Sequence, residues 1–468
     1  MLRGGCLRGV STCESEEAST MEMQEVVDNM FLPLPSVPPI LITRTEGEYL
    51  HTSTGHRLID ASGGPMAVSI GYGRPEIAEA AAAALRDVSY VLPVFATEAR
   101  IELVKRIKKL LPEELGNVYF CSGGSEANEA AIKLARQYQV LAGRESRHKI
   151  ISRNLSYHGM TLLTLSIGGV KMRQRDFLPM LWKNPRVDDC YCYRCPFGKE
   201  YPGCDIDCAL QLEERILAEG PDTVIAFVAE PIVAAAGGAL VPPPEYFPIV
   251  RETCDKYDVV FIADEVVTGF GRTGRNMGLD HFGVVPDIAT FAKGVSSAYA
   301  PLAGMVVSER LVATFQEREA EFQHLYTFSG HPLACAVGGE VMRIVEEENL
   351  IARAEQMGKY LQERLLGLKD LPMIGDIRGK GMLWAIEFVA DQDTRTPFPM
   401  EKNVKMDIIA QCLLKGVFFY PGYYEDERGR GDQLMIAPPF IITEEQIDES
   451  LEILQGVLTD SYDRWCAA

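Results

Sequence analysis

The chain lacks most of what marks membrane, secreted and nucleic-acid-binding proteins. None of its 468 residues fall in an apolar run of the ~18 positions that a membrane helix needs. The N-terminus has no apolar core of a secretory signal, and residues 1–20 turn acidic at Glu14, Glu16 and Glu17, against the acid-poor composition of a targeting leader. A basic surplus is missing too. Against 46 Lys and Arg stand 66 Asp and Glu, a formal charge of −20, which disfavours general binding to nucleic acid or anionic membrane. No internal repeat and no long low-complexity run interrupts the chain. These absences predict a soluble, cytoplasmic protein with small-molecule partners, no nucleic acid and no membrane.

Twelve cysteines in a chain of this length are too sparse for a disulfide scaffold, so free thiols are the default. One cluster stands out: Cys190, Cys192, Cys195, Cys204 and Cys208. The Cys-x2-Cys and Cys-x3-Cys spacing resembles a zinc knuckle, but disulfides or free thiols fit the same spacing. The site reading requires no metal.

What is present is alternation. Short runs rich in Val, Ile and Phe occur at Val118–Cys121, Lys149–Ser152, Val224–Ala229, Val259–Ala263, Ile288–Ala292 and Gly304–Val307. They show little period-2 patterning, as strands buried on both faces of a parallel sheet do. Helical patterns lie between several of them, at Glu126–Leu141, Ala209–Ala218 and Tyr246–Tyr257. The predicted fold class is α/β, a large domain with a mainly parallel sheet flanked by helices, plus a smaller α+β domain from both termini. Residues 1–20 read as a disordered extension and 21–75 as a segment joining the small domain. Residues 76–345 read as the large cofactor-binding domain. Residues 346–468 read as the C-terminal small domain, opened by a helix over Glu346–Leu366.

Three features carry chemistry. Phe120-Cys121-Ser122-Gly123-Gly124-Ser125-Glu126 runs from a strand through a Gly-rich turn into a helix. Unpaired N–H groups at a helix start, close backbone approach at glycine and the Ser125 hydroxyl suit a phosphate, although a plain capped helix reads the same way. Asp264 and Glu265 end a buried strand, where ligands bind in parallel sheets. An acid there suits a metal, a ribose or a protonated ring nitrogen, or simply caps a loop. Lys293 ends another apolar run. A buried lysine loses its proton more easily and attacks carbonyls, while a surface lysine would snorkel. Together the three ask for a phosphate, a basic ring nitrogen and an aldehyde, which pyridoxal phosphate combines.

At these residues the sequence resembles the class III aminotransferases, the ω-aminotransferase branch of the type I pyridoxal-phosphate fold, over about residues 25–460. The carriers are Asp264-Glu265-Val266, Gly269-Phe270-Gly271-Arg272-Thr273-Gly274 and Lys293-Gly294, with Tyr157-His158-Gly159, Glu230-Pro231, Thr327-Phe328-Ser329-Gly330 and Ala437-Pro438-Pro439. The resemblance implies that Lys293 holds the cofactor as a Schiff base and moves the proton. Asp264 would pair with the ring nitrogen, and Tyr157 and Val266 would cover the ring faces. Gly123, Gly124 and Ser125 would hold the phosphate, with His158 and Glu230 nearby. Thr327 would reach the neighbouring subunit's phosphate in a homodimer with shared sites. Arg272 reads as a loop arginine pairing with a carboxylate.

The implied activity is a ping-pong ω-aminotransferase passing an amino group from an amine or ω-amino acid to a 2-oxo acid. Ala235 stands where glutamate-using members carry a switch glutamate, so the acceptor implied is pyruvate. Arg428, with Arg430 beside it, stands where that branch has a mobile carboxylate-binding arginine. Pro65 and Met66 would line the substrate pocket. An aminomutase, racemase or decarboxylase on the same fold is the alternative.

Overall fold

The computed structural model describes residue 29 and residues 40–423 and 431–466. Its largest sheet has seven strands: β1 (Leu115–Cys121), β2 (Lys149–Arg153), β3 (Arg186–Val187), β4 (Val224–Ala229), β5 (Val260–Asp264), β6 (Ile288–Phe291) and β7 (Ala303–Ser308). Their order is β1-β7-β6-β5-β4-β2-β3. Only β7 runs antiparallel to its neighbours, so the sheet is mainly parallel, as its apolar runs predict. β4 reads Val-Ile-Ala-Phe-Val-Ala and every residue is buried. Helices cover both faces, and each buried Val, Ile or Phe side chain contributes roughly 1.5–3 kcal/mol.

Two four-stranded sheets complete the fold. In the first, Ile42–Glu46, Tyr49–Thr52 and Arg57–Asp60 are joined by Val417–Phe418, with Ile59 paired to Val417 in parallel. Segments more than 350 positions apart in the sequence thus meet in one sheet. The second consists of Ile374–Lys380, Leu383–Phe388, Gln433–Ile436 and Tyr420–Pro421. A single helix over 346–366 does not form. One helix, Pro332–Glu347, ends there and another begins at Leu350. Asn349 between them takes a left-handed φ of 51°, a conformation asparagine tolerates and a helix interior does not. The apolar periodicity continues through the break because both helices bury one face on the same core.

The register decides where the chemistry collects. Ala229 pairs with Ala263 and Asp264 with Thr290. On the other side of the sheet, Ala303 and Gly304 of β7 pair with Cys121 and Phe291. The residues that follow Cys121, Arg153, Ala229, Ala263 and Phe291 therefore all emerge at one edge, the carboxyl ends of the parallel strands. No described helix is long and apolar enough to cross a membrane.

Candidate active site

Asp264 is the most constrained group at this edge. It is buried. Its Oδ2 accepts from His158 Nδ1 at 2.8 Å and from Asn128 Nδ2 at 2.8 Å. Its Oδ1 accepts from the Val266 amide at 3.1 Å. Asn128 is held in turn by Thr290, whose hydroxyl donates to Asn128 Oδ1 at 2.9 Å. Three donors and a packed neighbourhood leave this carboxylate one orientation. Asn128 and Thr290 escaped the sequence reading. The available signal was periodicity: Asn128 sits one turn into the helix Gly124–Leu141, on its buried face, where a polar side chain needs a partner.

Glu265, next in sequence, does the opposite job. Its carboxylate accepts from the amides of Gly278 at 2.8 Å and Leu279 at 2.9 Å, and from the Thr268 hydroxyl. Burial pushes its carboxyl up to about 7. It is a loop clamp facing away from Asp264, because successive residues at a strand end point to opposite faces.

Lys293 follows β6 with a left-handed φ of 42°. It is half-buried, and Nζ donates to the Pro65 carbonyl at 2.6 Å. Burial lowers its ammonium to about 8, with Asp264 and Glu230 pulling the other way. Pro65 and Met66 reach it on a loop in which Gly63, Gly64 and Met66 all have positive φ. Asp60 holds that loop, accepting from the Ser62 amide, the Ser62 hydroxyl, the Gly64 amide and the Tyr72 hydroxyl. What Pro65 offers is its carbonyl, not its ring.

The turn after β1 enters the helix Gly124–Leu141 through Gly123, with no side-chain cap on the first amides. A Cβ on Gly123 would meet nothing within 4 Å, so an anion can approach those amides. A Cβ on Gly124 would press on Val266 Cγ1 at 3.1 Å, so Val266 packs directly beside the turn. Ser125 Oγ accepts from the Met160 amide at 3.1 Å, and the Gly159 backbone comes so close that any Cβ there would collide with Ser125. The helix start, its partial positive charge and a free cradle fit a phosphate group.

Glu230, just past β4, clamps two loops. Oε1 accepts from the Tyr157 amide at 3.0 Å and Oε2 from the Ala234 amide at 3.1 Å, and burial raises its carboxyl. Tyr157 itself is 40% exposed, its ring open at the cleft. Thr327 stands apart from these groups. It is exposed, and its carbonyl accepts from the Tyr90 hydroxyl at 3.2 Å.

Arg272 is buried but meets no carboxylate. It donates to the carbonyls of Met382, Ala437, Pro438 and Val68 at 2.7–3.2 Å and lies 4.8 Å from the Phe440 ring centroid. The expected carboxylate pairing is thus replaced by backbone carbonyls that a side-chain motif does not reveal. Arg428 and Arg430 lie outside the described residues, as does the 1–20 extension. The five clustered cysteines line one small cavity and are unbridged. Among the described residues no group of three or more His, Cys, Asp or Glu is arranged to hold a metal.

Comparison with known proteins shows the family. The aminotransferase class-III family pattern matches residues 34–458. The chain is 36% identical over 452 residues to an uncharacterized aminotransferase of Schizosaccharomyces pombe, covering 96% of this chain and 98% of the other. It is 37% identical to the putrescine–pyruvate aminotransferase of Pseudomonas aeruginosa, covering 89% and 90%. A solved transaminase from a study of directed evolution by ancestral reconstruction superposes with a TM-score of 0.91 at 36% identity, covering 95% and 99%. The chain belongs to the class III aminotransferases, enzymes that depend on pyridoxal phosphate.

Proposed function

We propose that the protein is an ω-aminotransferase that moves an amino group from an amine or ω-amino acid to pyruvate, with Lys293 as its catalytic residue. The observation that carries the reading is one cleft edge holding a lysine lowered to about 8, a carboxylate fixed by three donors and an uncapped helix start. When bound, pyridoxal phosphate supplies an aldehyde and an electron-withdrawing ring. The amides at Gly123–Ser125 and the Ser125 hydroxyl would bind its phosphate. Asp264, kept aimed by Asn128 and His158, would hold the proton of its ring nitrogen. Tyr157 and Val266 would pack against its ring. Lys293 Nζ takes a proton from the amine-bearing carbon of the donor. In the second half-reaction it returns one to the carbonyl carbon of the acceptor. Glu230 positions Tyr157 through its amide.

Pyruvate is favoured by the wall beyond this edge. Ala235 packs with Met66, Tyr420 and Tyr423 in an apolar cluster, with no acid at the switch position, and one relative is named for pyruvate. A shared site between two subunits is supported by an exposed apolar patch. Leu92, Val94, Phe95, Leu325 and Phe328 are each more than half exposed. Arg100 fastens their two loops together by donating to Pro93 O, Phe95 O and Gly330 O. Such a patch marks an interface, and Thr327 sits within it.

The test is spectroscopic. An amine donor alone converts the bound cofactor to its aminated form, and pyruvate then restores it with release of alanine. Product formed while the cofactor spectrum never changes would instead favour the aminomutase, racemase or decarboxylase reading.

A further inference from the structure

The cysteine cluster is a sequence feature that the active-site edge leaves unused. Cys190, Cys192, Cys195, Cys204 and Cys208 line one internal cavity of about 20 Å³. Two of them, Cys192 and Cys195, also line a large cleft. Cys192 is exposed and Cys195 half-buried, whereas Cys190 and Cys204 are buried. Small solutes therefore reach the Cys192 sulfur from solvent.

The local backbone pairs these two residues. Cys192–Arg194 forms a single 3-10 turn that ends at Cys195, with the Arg194 amide donating to the Tyr191 carbonyl at 3.1 Å. In such a turn, side chains three residues apart stand one above the other, with Cα atoms about 6 Å apart. That lies inside the roughly 4.4–6.8 Å that a disulfide spans. Cys204 and Cys208 do not share this relation. Between them Asp205 and Ile206 both take a left-handed φ, 52° and 55°, which breaks the helical spacing. Burial pushes the Cys192 thiol up, and the sulfurs of Cys195 and Cys204 push it further, as crowding around one cavity requires. Among the described residues no three of these groups are arranged to hold a metal, whereas a disulfide needs only two.

We propose that Cys192 and Cys195 are a redox-modification site, two thiols that hydrogen peroxide oxidises to a disulfide. The Cys192 sulfur, as thiolate, attacks one peroxide oxygen. The O–O bond breaks, and the other oxygen leaves as water with the thiol proton, giving a sulfenic acid. The Cys195 sulfur then displaces hydroxide from it, and that hydroxide leaves with the Cys195 proton as a second water. The two thiols lose two electrons in all, and the peroxide gains them. A thiol held largely protonated is a slow nucleophile, so the pair answers sustained exposure rather than a brief pulse. The site lies on a structural joint. Arg194, between the two cysteines, donates from Nε to Glu387 at 2.7 Å, and the Tyr191 hydroxyl donates to the same carboxylate. The bond therefore braces the turn that ties this loop to the strand Leu383–Phe388.

The experiment incubates the holoenzyme with hydrogen peroxide, blocks the remaining thiols by alkylation and digests with trypsin without reduction. Trypsin cuts after Arg194, between the two cysteines. Residues 187–194 and 195–199 should be recovered as one joined species that reduction separates. Recovery as separate peptides overturns the assignment. So does a join that persists in Cys192→Ser, since Cys190 would then be the partner. Zinc at about one ion per chain in the untreated enzyme, lost in Cys192→Ser, overturns it too, because the thiols would then be ligands. The wild-type digest decides the bond whether or not the variant folds. The brace is read from denaturant melts of the peroxide-treated enzyme before and after dithiothreitol, which reopens a disulfide and leaves methionine sulfoxide as it is. The midpoint should fall on reduction, and an unchanged or higher midpoint overturns the bracing role.

Discussion

The strand-end edge and the wall beside it are built in different ways. At the edge, Asp264, Glu230 and Glu265 each hold two or more hydrogen bonds with both oxygens engaged, and their backbone is tied to the sheet register. At the wall, Ala235, Met66, Tyr420 and Tyr423 meet through apolar packing, with the Arg173 guanidinium over the Tyr423 ring. The wall is anchored from behind by one buried acid. Glu387 accepts from Arg194 Nε at 2.7 Å and Arg378 Nη1 at 2.9 Å, and from the Tyr191 hydroxyl. Arg378 in turn donates to the carbonyl of Gly237 at 2.9 Å and to that of Gly238, just beyond Ala235. The difference teaches a division of labour. On the proposed reading, chemistry sits where hydrogen bonds allow one geometry, and substrate choice sits where a side chain can change without unsatisfying the core.

If that comparison holds, damage at the edge destroys turnover and damage at the wall does not. Lys293→Ala should lower kcat by about 10³–10⁴-fold, with the far-ultraviolet circular dichroism unchanged. Retained turnover would sink the assignment of the edge. Asp264→Asn should cost about 10²–10³-fold, since the amide keeps the shape and loses the charge, and steady-state kinetics with a good amine donor reads it.

At the wall's anchor, Glu387→Gln should destabilise by about 3 kcal/mol, leaving Arg194 and Arg378 without their shared charge, and denaturant melts measure it. The same variant carries a pH signature. Burial pushes Glu387 up, but Arg378, Tyr191 and Arg194 outweigh it and hold the carboxyl below its ordinary value. A depressed carboxyl contributes stability above its unfolded pKa of about 4.3, and that contribution is lost as pH falls through the folded value. The acid limb of the stability curve should therefore be flatter in Glu387→Gln than in the wild type.

The smallest effect concerns cofactor uptake. With Lys293 lowered to about 8, the amine is protonated and unreactive below that pH and free above it. Uptake of pyridoxal phosphate by the apoprotein should speed up by nearly tenfold per pH unit up to about 8 and then level. Uptake that goes on rising tenfold per pH unit beyond 8, towards the ordinary lysine value of about 10.4, would show that Lys293 keeps its usual basicity.

Most of the central sheet was legible because strands buried on both faces must be apolar throughout, as Val224–Ala229 is. Lys293, Asp264 and the Gly123–Ser125 turn were legible because their neighbours in sequence are strand ends. Asn128 and Thr290 were not, since each looks like an ordinary polar residue until the helix and β6 are packed together. Arg272 was misread because its partners are carbonyls from three separate segments, and a carbonyl carries no letter in a sequence. The helix break at Asn349 was missed because a single left-handed residue leaves the apolar period intact.

The sequence by itself determined the fold class, the family and the residue types of the reaction, because local apolar runs and the residues flanking them dictate strands and strand ends. Tertiary structure alone decided the aim of Asp264, the separate employment of Glu265, and the lowering of Lys293. Those depend on which donors and how much water surround a group, and both are set only when distant segments close over it. The same closure brought Arg173 over the ring of Tyr423, 250 positions away in the numbering, a contact that neither residue announces in the sequence.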